Sequence, residues 1–165
     1  MKLDICGGTT KLFKDFLNVD GRPGSRTDIV ADIRKPLPFK DGEIEEIFSC
    51  ATLEHLLFIQ TERLIGEFSR ILQPGGKLTI AVPDLKKICH SYVDGTLPYP
   101  WIVKYIYGEL TESSVMEFDC HKSAYDFNVL SAIIRNSGFR DIEEVEYDLP
   151  MHRKDLMFKI ICYKI

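Results

Sequence analysis

Five short apolar segments, four of them closed by glycine, aspartate or proline, constrain this chain more than any other feature. Leu3-Asp4-Ile5-Cys6 breaks at Gly7-Gly8, and Phe16-Leu17-Asn18-Val19-Asp20 closes at Gly21 and Pro23. Asp28-Ile29-Val30-Ala31-Asp32 runs into a connector held extended by Pro36 and Pro38, since a residue before proline avoids the helical region. Glu46-Ile47-Phe48-Ser49-Cys50-Ala51 follows, and Lys77-Leu78-Thr79-Ile80-Ala81-Val82 ends at Pro83. Segments of this length bounded by turn residues read as buried strands. Between the last two, Leu64, Ile65, Phe68, Ile71 and Leu72 share one helical face, with Thr61 as a cap and Pro74-Gly75-Gly76 as a stop. A helix over about 85–92, another over 126–137 with Gly138 after it, and strands over 142–147 and 156–163 complete the pattern. Strands alternating with helices predict an α/β fold with a mostly parallel sheet.

With 165 residues, the chain is expected to form a single domain over 1–165. Hydrophobic residues at 45% and charged residues at 28% suit a globular chain, not a disordered one. The 25 acidic residues exceed the 21 basic ones, so no nucleic-acid partner is expected. The apolar runs are far shorter than the roughly 20 residues of a membrane span, and Met1-Lys2-Leu3-Asp4 lacks a signal layout. Five scattered cysteines without a CxxC point away from a disulfide framework, toward a reducing, cytoplasmic setting. Cys89-His90 and Cys120-His121 lack the spacing of a metal site, and none is expected.

A sheet of this kind binds ligands beyond the carboxyl ends of its strands. The first strand delivers Gly7-Gly8, which lack Cβ and admit close backbone approach. The second delivers Asp20, a carboxylate suited to a ribose diol, and the third delivers Asp32, an acceptor for an adenine amino group. The fourth delivers Cys50-Ala51-Thr52-Leu53-Glu54-His55 and the fifth Pro83-Asp84. Each is an ordinary turn when taken singly; their shared register gives them force.

In that register the sequence resembles the class I S-adenosylmethionine (SAM)-dependent methyltransferases, in particular the small type 11 methyltransferase-domain family. The segments Leu3 to Gly8, Phe16 to Asp20 and Asp28 to Phe39 carry the resemblance, with Glu46 to Leu56 and Leu72 to Leu78. It continues more loosely through His121-Lys122-Ser123 and Asn136-Ser137-Gly138-Phe139. The resemblance implies a Rossmann-like methyltransferase fold: a mostly parallel seven-stranded sheet with an antiparallel C-terminal strand and helices on both faces. It implies SAM as cofactor, with Asp4, Cys6, Gly7 and Gly8 around the methionine moiety, Asp20 on the ribose hydroxyls, and Asp32 and Ile33 flanking the adenine. It places Ala51 near the sulfonium, and His55 over the cofactor or facing the acceptor. The chain departs from the family in three ways. Cys6 stands at the first glycine, only about one helical turn fits between Gly7 and Phe16, and the first strand begins at Lys2 without a preceding helix. Cover for the open side of the pocket is therefore expected from a lid-like insertion at about 95–125, or from a second copy in a homodimer.

Methyl transfer is an in-line displacement that chiefly requires alignment and exclusion of water. A general base is needed only where the acceptor must lose a proton. The candidates are His55, His121 and Asp84, with Glu54 beside them, although Asp84 also stands where a carboxylate caps the next helix. Tyr99, Trp101, Tyr105 and Tyr107 form an aromatic group suited to a sugar or planar acceptor, or to packing a lid on the core. The expected function is methyl transfer to a small-molecule or glycan-precursor acceptor. The alternatives are a SAM-binding accessory module without turnover and a nucleotide-binding oxidoreductase. The latter requires GxGxxG after the first strand, which Cys6-Gly7-Gly8-Thr9-Thr10-Lys11 does not supply.

Overall fold

The computed structural model describes residues 1–8, 12–109, 111–112 and 116–165, with side chains at 116 and 117 left aside. The strands are β1 (Lys2–Ile5), β2 (Leu17–Asp20), β3 (Ile29–Val30), β4 (Ile44–Cys50), β5 (Leu72–Pro83), β6 (Phe139–Val145) and β7 (Met157–Lys164). The helices are α1 (Phe58–Ile71), α2 (Leu85–Val93), α3 (Tyr99–Tyr107), α4 (Met116–Asp119) and α5 (Phe127–Asn136). The seven strands form one sheet in the order β3-β2-β1-β4-β5-β7-β6. All pairs from β3 to β5 are parallel, while β7 runs antiparallel to both β5 and β6. The order reverses at β1, so the ends of β1 and β4 open onto the crevice where such sheets take ligands.

The central strands are apolar on both faces because both are covered. On one face, Leu64, Ile65, Phe68 and Ile71 of α1 and Leu130, Ile133 and Ile134 of α5 pack on Leu3, Ile5, Ile47, Leu78, Ile80 and Phe158. The opposite face carries a smaller cluster of Phe16, Phe48, Cys50, Ala81, Tyr147 and Met157, joined by Leu12, Phe13, Leu149 and Met151. None of these residues lies in a helix, so loop residues cover this part of the sheet. A third cluster joins Ile88 of α2, Leu97 and Leu156 to Ile102, Tyr105 and Ile106 of α3, so the start of the expected lid is a packed helix. Parts of that expected insertion, residues 110 and 113–115, lie outside the described residues, as do residues 9–11 of the first crossover. Among the described residues, no helix is long and apolar enough to cross a membrane.

Several boundaries differ from the sequence reading. α1 begins at Phe58, not near Thr61, because the Gln60 side chain accepts from the Leu57 N–H at 2.9 Å and closes the first turn early. Thr61 is buried instead, hydrogen-bonded to the Tyr125 hydroxyl at 2.8 Å. β5 starts at Leu72, which pairs with Ile44, and the strand accommodates Pro74-Gly75-Gly76 through a register shift against β4. α5 matches the reading closely: Asp126 accepts from the Val129 N–H at 2.9 Å. Gly138, at φ +87°, follows the helix end.

Candidate functional site

The turn after β1 is built around Asp4. Cys6 takes φ +58° and its N–H donates to Val19 O at 2.8 Å, curling the chain back against β2. The Gly7 N–H donates to Asn18 Oδ1 at 3.0 Å, and Asn18 Nδ2 donates to Gly8 O at 3.1 Å. A Cβ at position 7 would lie 2.6 Å from Asp4 Oδ2 and 3.0 Å from Asn18 Oδ1, so the carboxylate and amide leave room only for glycine. A cysteine in the left-handed region is unusual, and here its thiol is closed in. Burial, then the neighbouring Asp20 and Asp4 carboxylates, push it up to about 12, which keeps it protonated at neutral pH.

Asp20 ends β2, only 7% exposed, and its Oδ1 accepts from the Arg22 N–H at 2.9 Å. Asp32 receives the Arg34 guanidinium as a fork, Nε to Oδ1 and Nη2 to Oδ2, each at 2.8 Å. That hydrogen bonding holds the Asp32 carboxyl below its usual range. The Phe118 ring lies between two guanidiniums, 5.9 Å from Arg22 and 5.5 Å from Arg34. Arg22 Nη1 also pairs with Asp119 at 3.0 Å, so α4 is fastened over the ends of β2 and β3. These residues enclose a cavity of about 140 Å³ together with Cys6, Gly8, Ile33, Ala51, Thr52, His55 and Lys122.

At the end of β4 the chain reverses through Ala51, at φ +51°, whose N–H donates to Ala81 O at 2.9 Å. The reversal leads into a tight 3-10 turn over Leu53–His55. Glu54 is 3% exposed and, among the described residues, its Oε2 has no hydrogen-bond partner. Burial pushes its carboxyl up to about 8. The His55 and His121 rings meet edge to face, centroids 4.8 Å apart. Burial first, then the neighbouring His121, brings His55 down to about 4, and burial lowers His121. His55 Nδ1 lies 3.2 Å from Cys120 O and His121 Nδ1 lies 2.8 Å from Tyr105 O.

Two further cavities adjoin the first. One, of about 640 Å³, is lined by Ala51, Glu54, His55, His121, Trp101, Lys104, Tyr105, His152 and Arg153 among others. The other, of about 330 Å³, takes in Asp4, Cys6, Gly7, Gly8, Phe48, Ala51, His55 and His152. Ala51 and His55 line all three.

All the sequence-expected residues but one fall around these three cavities, several of them shared. Cys6, Gly8, Asp20, Asp32, Ile33, Ala51 and His55 share the first cavity, while Asp4 and Gly7 belong to the third and His121 to the second. Asp84 is not with them. Its carboxylate accepts from the Lys86 and Lys87 N–H groups at 3.0 and 3.2 Å and pairs with Lys87 Nζ at 3.2 Å. It caps α2 and borders a separate surface hollow with Asp126 and Glu144, which corrects its candidacy as a base. Of the aromatic group, Trp101 and Tyr105 line the second cavity, whereas Tyr99 and Tyr107 are 68% and 61% exposed. Sequence reasoning missed Arg22, Phe118, Lys122 and His152, none of which stands at a strand end or in a periodic pattern. Arg34 gave a faint signal two residues beyond Asp32, where its side chain folds back onto that carboxylate.

Residues 1–80 match the methyltransferase-domain family. The fold of the whole chain is that of solved SAM-dependent methyltransferases. Solved structures align along nearly the whole of this methyltransferase fold. A SAM-dependent methyltransferase from Methanosarcina mazei is 17% identical, with 99% of this chain and 92% of that one covered at a TM-score of 0.64. One from Archaeoglobus fulgidus is 15% identical, with 99% and 85% covered at 0.66. A methyltransferase from Haloferax volcanii, solved in complex with the Trm112 methyltransferase activator, is 14% identical, with 99% and 81% covered at 0.62. No curated protein matches the sequence.

Proposed function

We propose that the chain transfers a methyl group from SAM to an acceptor held in the cavity of about 640 Å³. One observation carries this reading: Ala51 and His55 line all three cavities, so the reversal after β4 is where a cofactor in two of them meets an acceptor in the third. The residues fit the cofactor. Among the described residues nothing lies within 4 Å of a Cβ built at Gly8, and Asp20, Asp32 and Ile33 line one wall of the first cavity. In this reading Asp20 accepts from the ribose hydroxyls, and Asp32 and Ile33 flank the adenine. Asp4, Cys6, Gly7 and Gly8 bound the methionine moiety. When bound, the cofactor supplies a sulfonium methyl group that a nucleophile displaces in line.

The chain's own contribution is alignment and shielding. Carbonyl oxygens only accept, so His55 and His121 carry their protons on Nδ1 and leave Nε2 unprotonated. Each is an acceptor that orients a hydroxyl or amine. Trp101 and Tyr105 offer apolar faces of the kind that pack on sugar rings, and Lys104 and Arg153 add donors, which supports a small polar acceptor such as a glycan precursor.

Calorimetry with SAM and with its demethylated product, followed by transfer of a labelled methyl group to a panel of sugars and small hydroxylated or amino compounds, tests the reading. Binding of both ligands with label transfer is expected; no heat with either overturns it. A SAM-binding module without turnover is the second reading. It is favoured by the state of the candidate bases: Asp84 is taken up in capping α2, and His55, brought down to about 4, is a weak base. Binding without transfer to any acceptor decides for it.

A further inference from the structure

Glu54, His55 and His121 form a cluster whose geometry suits a ligand other than a methyl donor. One donor atom from each lies within 4.8 Å of the others. Ligands about 2.0–2.2 Å from a common cation stand roughly 3–3.5 Å apart, so small side-chain rotations close this set.

Three independent features point the same way. The first is the state of the imidazoles. Each Nδ1 faces a backbone carbonyl, Cys120 O for His55 and Tyr105 O for His121. The carbonyl only accepts, so Nδ1–H is fixed and Nε2 keeps its lone pair. A histidine that ligates a metal characteristically donates its other N–H to a carbonyl or carboxylate in this way, which sets both tautomer and ring orientation.

The second feature is Glu54. Its side chain is enclosed, and Oε2 lacks a hydrogen-bond partner among the described residues. A buried carboxylate oxygen without a donor is costly, and a cation beside it removes that cost.

The third feature is how the ligands are held. Glu54 and His55 sit on the turn after β4, and His121 comes from far along the chain. Glu54 O accepts from the Lys122 and Ser123 N–H groups at 2.7 and 3.2 Å. The Ser123 hydroxyl donates to Leu56 O at 2.9 Å, and Lys122 Nζ donates to His55 O at 3.0 Å. The two segments are laced together before any ligand arrives, which is the preorganisation a metal centre requires.

We propose that Glu54, His55 and His121 bind a divalent first-row transition cation at the wall of the larger cavity. Two imidazole nitrogens and one carboxylate oxygen select zinc, iron, cobalt or manganese over calcium or magnesium, which prefer oxygen donors throughout. Three protein ligands leave positions for water or for a hydroxyl or carboxylate oxygen of a ligand in the cavity, the open arrangement of catalytic rather than structural sites. No spacing signal marks the set because the third ligand is supplied by tertiary structure. The inference concerns cation binding alone and does not rest on methyl transfer.

The experiment uses the full chain without a histidine tag, stripped with a chelator and exchanged into clean buffer. Zn²⁺ is titrated by calorimetry and Co²⁺ by its visible absorption. One equivalent is expected to bind, and Co²⁺ is expected to show ligand-field bands without a thiolate charge-transfer band. Glu54→Gln, close to isosteric, and His121→Ala are each expected to weaken binding at least about tenfold while melting as cooperatively as the metal-free parent. If Glu54→Gln fails to fold, His121→Ala, at a half-buried position, decides alone. No binding by either cation overturns the proposal. So does binding that both variants retain, or binding that Cys89→Ser abolishes.

Discussion

The proposed cofactor side and the proposed acceptor side of the cleft are built on different principles. The former takes its named residues chiefly from the ends of β1 to β4, within the first 56 positions. Short turns after consecutive parallel strands bring those residues together, so their positions follow once the strands pair. The acceptor side collects residues from the turn after β4, the end of β5, α3 and the segments around His121 and His152. Only the packing of α3 and its flanks on the sheet brings these together. A fold of this kind thus keeps one half of its cleft local and leaves the other half free to vary with the substrate.

That contrast is sharpened by four substitutions. Gly7→Ala should have the largest effect. The added carbon meets the Asp4 carboxylate at 2.6 Å, and overpacking of this kind costs about 1–3 kcal/mol. A fall in melting temperature together with loss of SAM binding is expected; a variant that binds normally removes the turn from the cofactor site. Asp20→Ala should leave folding intact and weaken SAM by about 1–3 kcal/mol, because a charged acceptor is lost from a hydroxyl pair. Unchanged calorimetric affinity would put the ribose elsewhere. Asp84→Ala should cost about 1 kcal/mol through the lost cap of α2, read by denaturant melts, with SAM affinity unaltered. A selective loss of turnover at full stability would return Asp84 to the chemistry. Trp101→Ala should be the mildest for the fold, within about 0.5 kcal/mol at this half-exposed position. Its KM for the acceptor should rise while SAM affinity stays fixed; equal effects on both ligands would erase the distinction between the two sides.

The same contrast explains what was legible in the sequence. The strand segments, the glycine turn and Asp20 were visible because local pattern and turn chemistry dictate them. Phe118 was not, because its position depends on Arg22 and Arg34, both remote in sequence. Asp84 was ambiguous because a carboxylate after Pro83 serves as a cap or as a base, and only its bonds to Lys86 and Lys87 decide. Thr61 misled because a threonine ahead of an apolar face reads as a helix start, while its hydroxyl is spent on buried Tyr125. The loop cover of Phe48 and Ala81 by Phe13, Phe16 and Tyr147 had no periodic signal, because loop residues carry none.

The ring of Phe118 has one more consequence. It lies 5.9 and 5.5 Å from the Arg22 and Arg34 guanidiniums, beside Gly21, and lines the first cavity. In the proposed reading, a purine entering against Ile33 meets this ring and competes with it for the same wall of the cavity. What a titration measures is then the difference between two competitors. The observed dissociation constant is the intrinsic one divided by the fraction of chains whose ring is already withdrawn. Shortening the side chain at 118 acts as removal of a competing ligand, and strengthening its grip acts as addition of one.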